Sequence, residues 1–332
     1  MTISFRAFRL FEGAVGASPE GRFVTLSEDE LSAGDVLIKV AYSSVNYKDA
    51  LAAAGANKII RDFPRIGGID LTGTVTRSAD PRFREGDPVV VHGFGIGVDR
   101  DGGHAEYARV DGDLVLRLPD GLSLFDAAVL GVAGYTAALS VHWMEHNGLA
   151  PGGDPVLVTG ATGGVASIAI DILSGRGYSV TAMTGKADAH AYLRALGAED
   201  IVAPDIAGAS GKLIESARWS GALDSVGGEV LGWVLRTMAP EGVVASFGNA
   251  GGAAFSGSVL PFILRGVKLI GVNGNSPMDL RRIVWAKIAN EYRPRHLDLI
   301  ADVIAFDALP QAMARLRDRQ SRGRTVVRMA GS

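Results

Sequence analysis

Up to residue 120 the apolar positions fall in short runs that alternate with polar ones and are broken by glycine, proline and aspartate. The runs are FRAFRLFE (5–12), RFVTLS (22–27), DVLIKVAYSSV (35–45), GIDLTGTVTRS (68–78), DPVVVHG (87–93), GGHAEYARVDG (102–112) and LVLRLP (114–119). Runs rich in β-branched residues between turn residues read as strands, so this part predicts a barrel-like β domain. One helix interrupts it over 47–54, where NYKDALAAAG combines alanine-rich propensity with a glycine stop at Gly55. From 122 to 147 the spacing turns helical, opening on Ser123 as a cap and closing on Gly148, which predicts a helical bridge between two domains.

Strands and helices then alternate. The order is PVLVTG, a helix over 164–176, SVTAMTG, a helix over 188–197, DIVAP, a helix over 211–219, GALDSVG, a helix over 229–238, GVVASFG, VKLIGVNG and a helix over 277–291. Six apolar strands joined by helices predict a doubly wound parallel sheet of the dinucleotide-binding kind. An amphipathic helix over 308–319 and a strand, GRTVVRM, follow; they suit a return to the first domain, which makes that domain discontinuous. The stretch PVLVTGATGGVAS joins strand, tight turn and helix. Small residues at Ala161, Gly163 and Ala166 would admit a pyrophosphate to the helix N-terminus. Against G-x-G-x-x-G it reads A-T-G-G-V-A, a weak match alone that gains weight from the alternating strands around it.

Composition narrows the classes. With 332 residues, 47% hydrophobic and 21% charged, the chain suits two globular domains. A net charge of −3 gives no basic field for nucleic acid, and no run of roughly 18 uninterrupted apolar residues suggests a membrane span. The N-terminus has arginines within its apolar stretch and lacks the layout of a signal peptide, so cytoplasmic residence is expected. Cysteine is absent, which excludes disulfides, thiolate catalysis and cysteine-ligated zinc.

The candidate chemistry lies at strand ends. About 20 residues past the glycine turn, where NAD-binding chains place an acid on the ribose, stand Thr184, Gly185 and Lys186. A lysine there accommodates a 2′-phosphate and favours NADP, although a lysine in a turn is also simply a solvated charge. Asn46 and Tyr47 sit at a strand-to-helix junction. The Tyr47 phenol can hydrogen-bond an enolate oxygen and donate a proton, while the plainer reading has Asn46 as cap and Tyr47 as packing. Glycine- and amide-rich segments after the fifth and sixth strands, with Gly248, Asn249, Asn273 and Asn275, suit a nicotinamide, or are plain turns. Phe262 and Ile263 offer an apolar wall or core packing. His142 and His146 are four apart on a helix, but no third ligand is near and no metal is expected. No G-x-S-x-G elbow and no tyrosine with lysine four residues on are present.

The strings NYKDALA, IIRDFPRIGGIDLTGTV, DPRFREGDPVVV, GGHAEYARV, TGATGGVAS, PFILRGVKLIGV and GRTVV, spread over nearly the whole chain, resemble the medium-chain dehydrogenase/reductase superfamily. Among its branches the sequence is similar to the zinc-free quinone-oxidoreductase-like group with NADPH-dependent acryloyl-CoA reductases of the YhdH/AcuI type. The resemblance implies a GroES-like β-barrel domain, 1–122 and 303–332, and a Rossmann NADP-binding domain, 123–302. It places Tyr47 and Asn46 at the nicotinamide as catalytic residues. Gly160, Ala161, Gly163, Gly164, Val165, Ala166 and Ser167 would hold pyrophosphate, and Thr184 to Lys186 the 2′-phosphate. Thr136, Gly248, Asn249, Ile263, Asn273, Asn275 and Arg324 complete the expected cofactor contacts. Ala166, where members often have glycine, and Lys186, where they often have arginine, depart from the pattern. The expected activity is NADPH-dependent reduction of an activated C=C bond, with acryloyl-CoA as leading substrate and Lys58, Arg61 and Arg65 available to its phosphates. Quinone or enone reduction is the alternative enzyme, an NADPH sensor without turnover the alternative outside catalysis, and a homodimer the expected assembly.

Overall fold

The computed structural model describes residues 3–14, 16–208 and 212–329. Two compact units divide the chain. One runs up to Val132 and takes in Pro277–Arg282 and the chain from Ala301 onward; the other holds Ala133–Ser276 and Ile283–Ile300. In chain order the first unit contributes β1 (Ser4–Phe11), β2 (Glu20–Ser27), β3 (Val36–Val45), α1 (Tyr47–Ala53), β4 (Arg65–Ile66), β5 (Asp70–Ser78), β6 (Pro88–His92), β7 (Tyr107–Val110), β8 (Leu116–Arg117) and the start of α2 (Leu124–His146). Next come β9 (Val156–Val158), α3 (Gly164–Gly175), β10 (Val180–Met183), α4 (His190–Ala195), β11 (Asp200–Val202), β12 (Trp219–Asp224), α5 (Gly228–Thr237), β13 (Met238–Ser246), α6 (Leu260–Arg265), β14 (Lys268–Gly271), α7 (Met278–Ala289) and α8 (Leu297–Ile300). The chain then returns to the first unit with β15 (Ala301–Ala305), α9 (Leu309–Arg317) and β16 (Arg324–Arg328).

In the first unit one sheet runs β2-β1-β4 and the other β15-β16-β3-β5-β6-β8, with β7 also on β3. The period of two along β3 divides its side chains between two cores. Val36, Ile38 and Val40 pack with Phe8, Val89, Val91 and Met313, whereas Leu37 packs with Phe5, Leu26 and Ile66. Each such side chain stabilises the fold by about 1.5–3 kcal/mol on burial. β16 lies antiparallel to β3 with Thr325 opposite Val45, so this late strand pairs within the first unit.

The second unit is a six-stranded parallel sheet in the order β11-β10-β9-β12-β13-β14. Counted from β9 this is 3-2-1-4-5-6, and the direction of strand succession reverses between β9 and β12. The strands at this point are apolar throughout because both faces are covered. Val156, Leu157 and Val158 are fully buried.

Three elements differ from the sequence reading. No helix forms over 212–219, and residue 211 lies outside the described residues. The N–H groups of Glu215 and Arg218 donate instead to Arg236 and Thr237 carbonyls, which draws the segment out along the end of α5 and into β12. PFILR forms the short helix α6, and ADVIA forms β15, parallel to β16. α2, by length and hydropathy, passes as a membrane span, yet 72% of its apolar window is buried within the protein, as in a core helix. It is also broken at Gly131, whose φ of 47° and ψ of −147° are not helical.

Candidate active site

Two polar clusters emerge, each within one unit. In the second unit the ends of β9 and β12 lie side by side, and Thr159 and Asp224 follow the paired Val158 and Leu223. Thr159 Oγ1 donates to Asp224 Oδ1 (2.7 Å) and accepts the Ser225 N–H (3.1 Å), while Ser225 Oγ donates to the Thr159 carbonyl (2.8 Å). Asp224 also accepts the Gly227 N–H at 2.9 Å. Burial raises its carboxyl above the usual aspartate value, opposed by the Thr159 hydroxyl and the backbone N–H groups.

Gly160, next along, has a φ of 59°, and a Cβ there would lie 2.4 Å from Ser225 Oγ, so glycine is required. Ala161 N–H donates to the Met183 carbonyl (3.0 Å) and Ser167 Oγ to the Ala161 carbonyl (3.3 Å), fixing the turn over β10 and the start of α3. α3 begins behind Gly163 with no side chain capping it. Gly163 is exposed, Gly164 and Val165 are half-buried, and Ala166 and Ser167 are buried. The first-turn N–H groups and the positive end of the helix dipole are therefore presented past small residues, as a pyrophosphate requires. The cradle fits a dinucleotide.

At the end of β10, Thr184 is buried; its N–H donates to the Val202 carbonyl (3.0 Å) and its hydroxyl accepts the Lys186 N–H (3.1 Å). Gly185 is exposed and Lys186 half-buried. The loop after β13 folds onto the same corner. Gly251 N–H donates to the Val226 carbonyl (2.7 Å), and a Cβ on Gly248 would lie 2.5 Å from the Ser225 carbonyl, so Gly248 and the exposed Asn249 join the turn around Gly160. The remaining expected contacts of this unit lie on other elements. Asn273 and Asn275 follow β14, exposed, with Asn275 N–H on Asn273 Oδ1 (3.0 Å); Thr136 is half-buried in α2; Ile263 on α6 is 69% exposed. Thr159, Asp224 and Ser225 escaped the sequence reading, although an acid closing the apolar run GALD is a visible signal.

In the first unit the β3–α1 junction surrounds a buried ion pair. Arg324 Nε donates to the Val129 carbonyl (2.9 Å), Nη1 to Asn46 Oδ1 (2.9 Å) and Nη2 to Ser44 Oγ, and Nη2 lies 3.4 Å from Asp70 Oδ2. Asp70 further accepts from Ser44 Oγ, Asn46 Nδ2 (3.0 Å) and the Val132 N–H (3.1 Å). Burial lowers the Arg324 pKa, opposed by Asp70 and Asp49. The break in α2 follows, because a Cβ on Gly131 would come within 2.4 Å of Asp70 Oδ2. Asp49 Oδ2 accepts the Asn46 N–H (2.8 Å) at the start of α1, and Oδ1 accepts the Ile69 N–H (3.0 Å). Burial pushes the Asp49 carboxyl up, with His104 opposing and Asp70 reinforcing the shift. Asn46 thus has both ends of its amide engaged, while Tyr47, the next residue, is 44% exposed. Arg324 is 3% exposed and holds Asn46 rather than presenting its guanidinium to solvent. Among the described residues no group of three or more histidine, aspartate or glutamate side chains is arranged to hold a metal. His142 and His146 instead stack against Trp143.

Comparison with known proteins agrees with both halves. Residues 32–120 match the alcohol dehydrogenase GroES-like domain and residues 164–290 the zinc-binding dehydrogenase family. A Bacillus subtilis protein named as a quinone oxidoreductase, YhfP, is 45% identical over 308 residues, 92% of this chain and 93% of that protein. The acrylyl-CoA reductase AcuI of Ruegeria pomeroyi is 41% identical over 304 residues, 91% and 92% of the two chains. The solved yhdH oxidoreductase of Salmonella enterica, in complex with NADP, has a TM-score of 0.94 at 42% identity, covering 97% of this chain and 99% of that one. B. subtilis yhfP with NAD bound gives 0.95 at 43%, covering 98% and 99%. A GroES-like domain completed by the chain's last strand, a Rossmann sheet with an uncapped glycine turn and these full-length likenesses lead to one conclusion: the chain is an oxidoreductase that belongs to the medium-chain dehydrogenase/reductase superfamily, in its quinone-oxidoreductase-like, acrylyl-CoA reductase group.

Proposed function

We propose that this oxidoreductase uses NADPH to reduce the C=C bond of a 2-enoyl thioester, with acryloyl-CoA to propanoyl-CoA as the leading reaction. The observation that carries the cofactor choice is the end of β10, where Thr184 and Lys186 stand in place of a ribose-binding acid. A lysine attracts the 2′-phosphate as a point charge, and a carboxylate there would repel it. The relatives named acrylyl-CoA reductase support the substrate class.

When bound, the dinucleotide supplies hydride to the β-carbon. The residues of the chain supply the rest. First-turn N–H groups of α3 hold the pyrophosphate, and the Thr159–Asp224–Ser225 bonds keep the turn in shape for it. Tyr47, on the first turn of α1, donates a hydrogen bond to the oxygen on which enolate charge develops, and Tyr47 or water then delivers the proton to the α-carbon. Asn46 and Arg324 are positioning residues for that turn, and Asp49 closes it from below.

The test is an initial-rate comparison of NADPH oxidation with acryloyl-CoA, a simple enone and a quinone. Higher kcat/KM for acryloyl-CoA is expected, and a wide margin for quinone would overturn the thioester reading. That second reading rests on the 45% identity to YhfP, which is solved with NAD bound, so NADH is assayed alongside. The assembly we read as a homodimer. β14 ends the sheet, and Val259, Ile263 and Leu264 on or beside α6 are each about two-thirds exposed, an apolar face suited to a second copy. Light scattering at the monomer mass would refute it. Its compartment we read as the cytoplasm.

A further inference from the structure

We propose that Lys58 and Arg61 form a subsite for the phosphates of coenzyme A, an inference that rests on the thioester-reductase reading. From Tyr47 to β4 the chain carries Lys48, Lys58, Arg61 and Arg65 against two acids, Asp49 and Asp62. Asp49 is buried with both oxygens bonded, so it neutralises none of the exposed cations. Arg65 is committed to the fold: its side chain is 14% exposed, 3.7 Å from Asp101, and donates to Ser32 Oγ at 3.2 Å. Lys48, Lys58 and Arg61 are exposed and form no ion pair among the described residues. Elsewhere in the same unit Arg6, Arg77, Arg82 and Arg117 each meet an aspartate or glutamate. The segment after α1 thus carries two exposed cations, Lys58 and Arg61, against one exposed acid, Asp62, on a unit that otherwise pairs many of its surface arginines.

Its backbone is also unusual. Asn57 and Lys58 are consecutive non-glycine residues with φ of 57° and 49°, separated by Ala56 from Gly55 at 71°. Non-glycine residues rarely adopt that conformation, and both side chains are exposed, so burial of those side chains does not offset the strain. Backbone outliers of this kind cluster at ligand clamps and switch regions.

The spacing suits the chemistry. α1 spans seven residues, Tyr47–Ala53, so its far end lies about 10 Å from the Tyr47 turn. Coenzyme A esters carry the reacting acyl group at one end of a flexible arm and a diphosphate and 3′-phosphate at the other. A thioester at Tyr47 with its phosphates at Lys58 and Arg61 would meet exposed residues of the first unit alone. Quinones and simple enones have nothing for these cations to hold, so the subsite would set specificity.

The experiment compares wild type with Lys58→Ala/Arg61→Ala under saturating NADPH, using acryloyl-CoA and S-acryloyl-N-acetylcysteamine, which lacks the phosphates. The expected result is a rise in KM for acryloyl-CoA of about tenfold or more with kcat held, no matching change for the short thioester, and rescue by Lys58→Arg/Arg61→Lys. The KM of wild type for acryloyl-CoA should rise with salt, and that of the variant should not. Equal losses on both thioesters would mean structural damage and overturn the subsite, as would an unchanged KM for acryloyl-CoA. If wild type reduces neither thioester, the parent reading fails on its own. The subsite is then judged by adenosine 3′,5′-bisphosphate binding to the NADP-saturated protein, where equal affinity in wild type and variant refutes it.

Discussion

Tyr47 is exposed where the residues around it are locked. Asn46 and Asp49, on either side, are locked by bonds to Arg324, Asp70 and Ile69, and the phenol is left as the exposed group on that turn. Tyr47→Phe should lower kcat/KM for the enoyl substrate by roughly 10²-fold while shifting urea stability by less than about 0.5 kcal/mol. Turnover equal to wild type would take the hydroxyl out of the reaction. Asp224 gives a prediction in pH. Because burial raises its carboxyl above the usual 3.8, the folded state holds the proton more tightly than the unfolded chain. Its contribution to stability is full below 3.8 and is lost as pH rises through the raised folded value. Asp224→Asn removes that titration. The advantage of wild type over the variant, about 1–3 kcal/mol at acid pH, should therefore shrink toward neutrality, as urea unfolding across the range will show. A gap constant with pH would contradict the raised value.

At the scale of elements, the glycine turn and the end of β10 make separable demands. Gly160→Ala places a Cβ against Ser225 Oγ in a left-handed position, so both stability, by about 1–3 kcal/mol, and the KM for NADPH should suffer. Lys186→Ala should leave stability alone, raise the KM for NADPH about tenfold and leave that for NADH unchanged, read from paired steady-state titrations. The turn was legible in the sequence because its strand, β9, is buried on both faces and so reads as an unbroken apolar run. The helix assigned to 211–219 was not, because the bonds that decide residues 215 and 218 come from Arg236 and Thr237, far along the chain. α6 is six residues long and opens on a proline, too short for a period to show. Of the candidate site, Tyr47, the glycine turn and Lys186 are the residues that type and spacing single out. Arg324 was placed near the cofactor by family likeness, yet its function as clamp on Asn46 depends on the register of β16 against β3, which no local pattern carries.

For the whole molecule, that register joins residues nearly three hundred positions apart. Arg324→Leu should cost about 3–5 kcal/mol, since Asp70 would remain buried without its cation, and circular dichroism melts will report the loss. Loss of turnover at temperatures where the variant is still folded would further support its hold on Asn46.

The lateness of Arg324 has a consequence for how the protein is made. A ribosome releases residues in order, so Asp70, Asn46 and Ser44 emerge long before the guanidinium that neutralises and fixes them. Until the final strand leaves the exit tunnel, the nascent first domain carries an unpaired acid at its centre and an unsupported active-site turn. The second domain has all its strands by Gly271 and can settle first. The turn around Tyr47 is therefore fixed only once residue 324 has been made, and a product cut short before it carries the strands of the second unit with that turn unsupported.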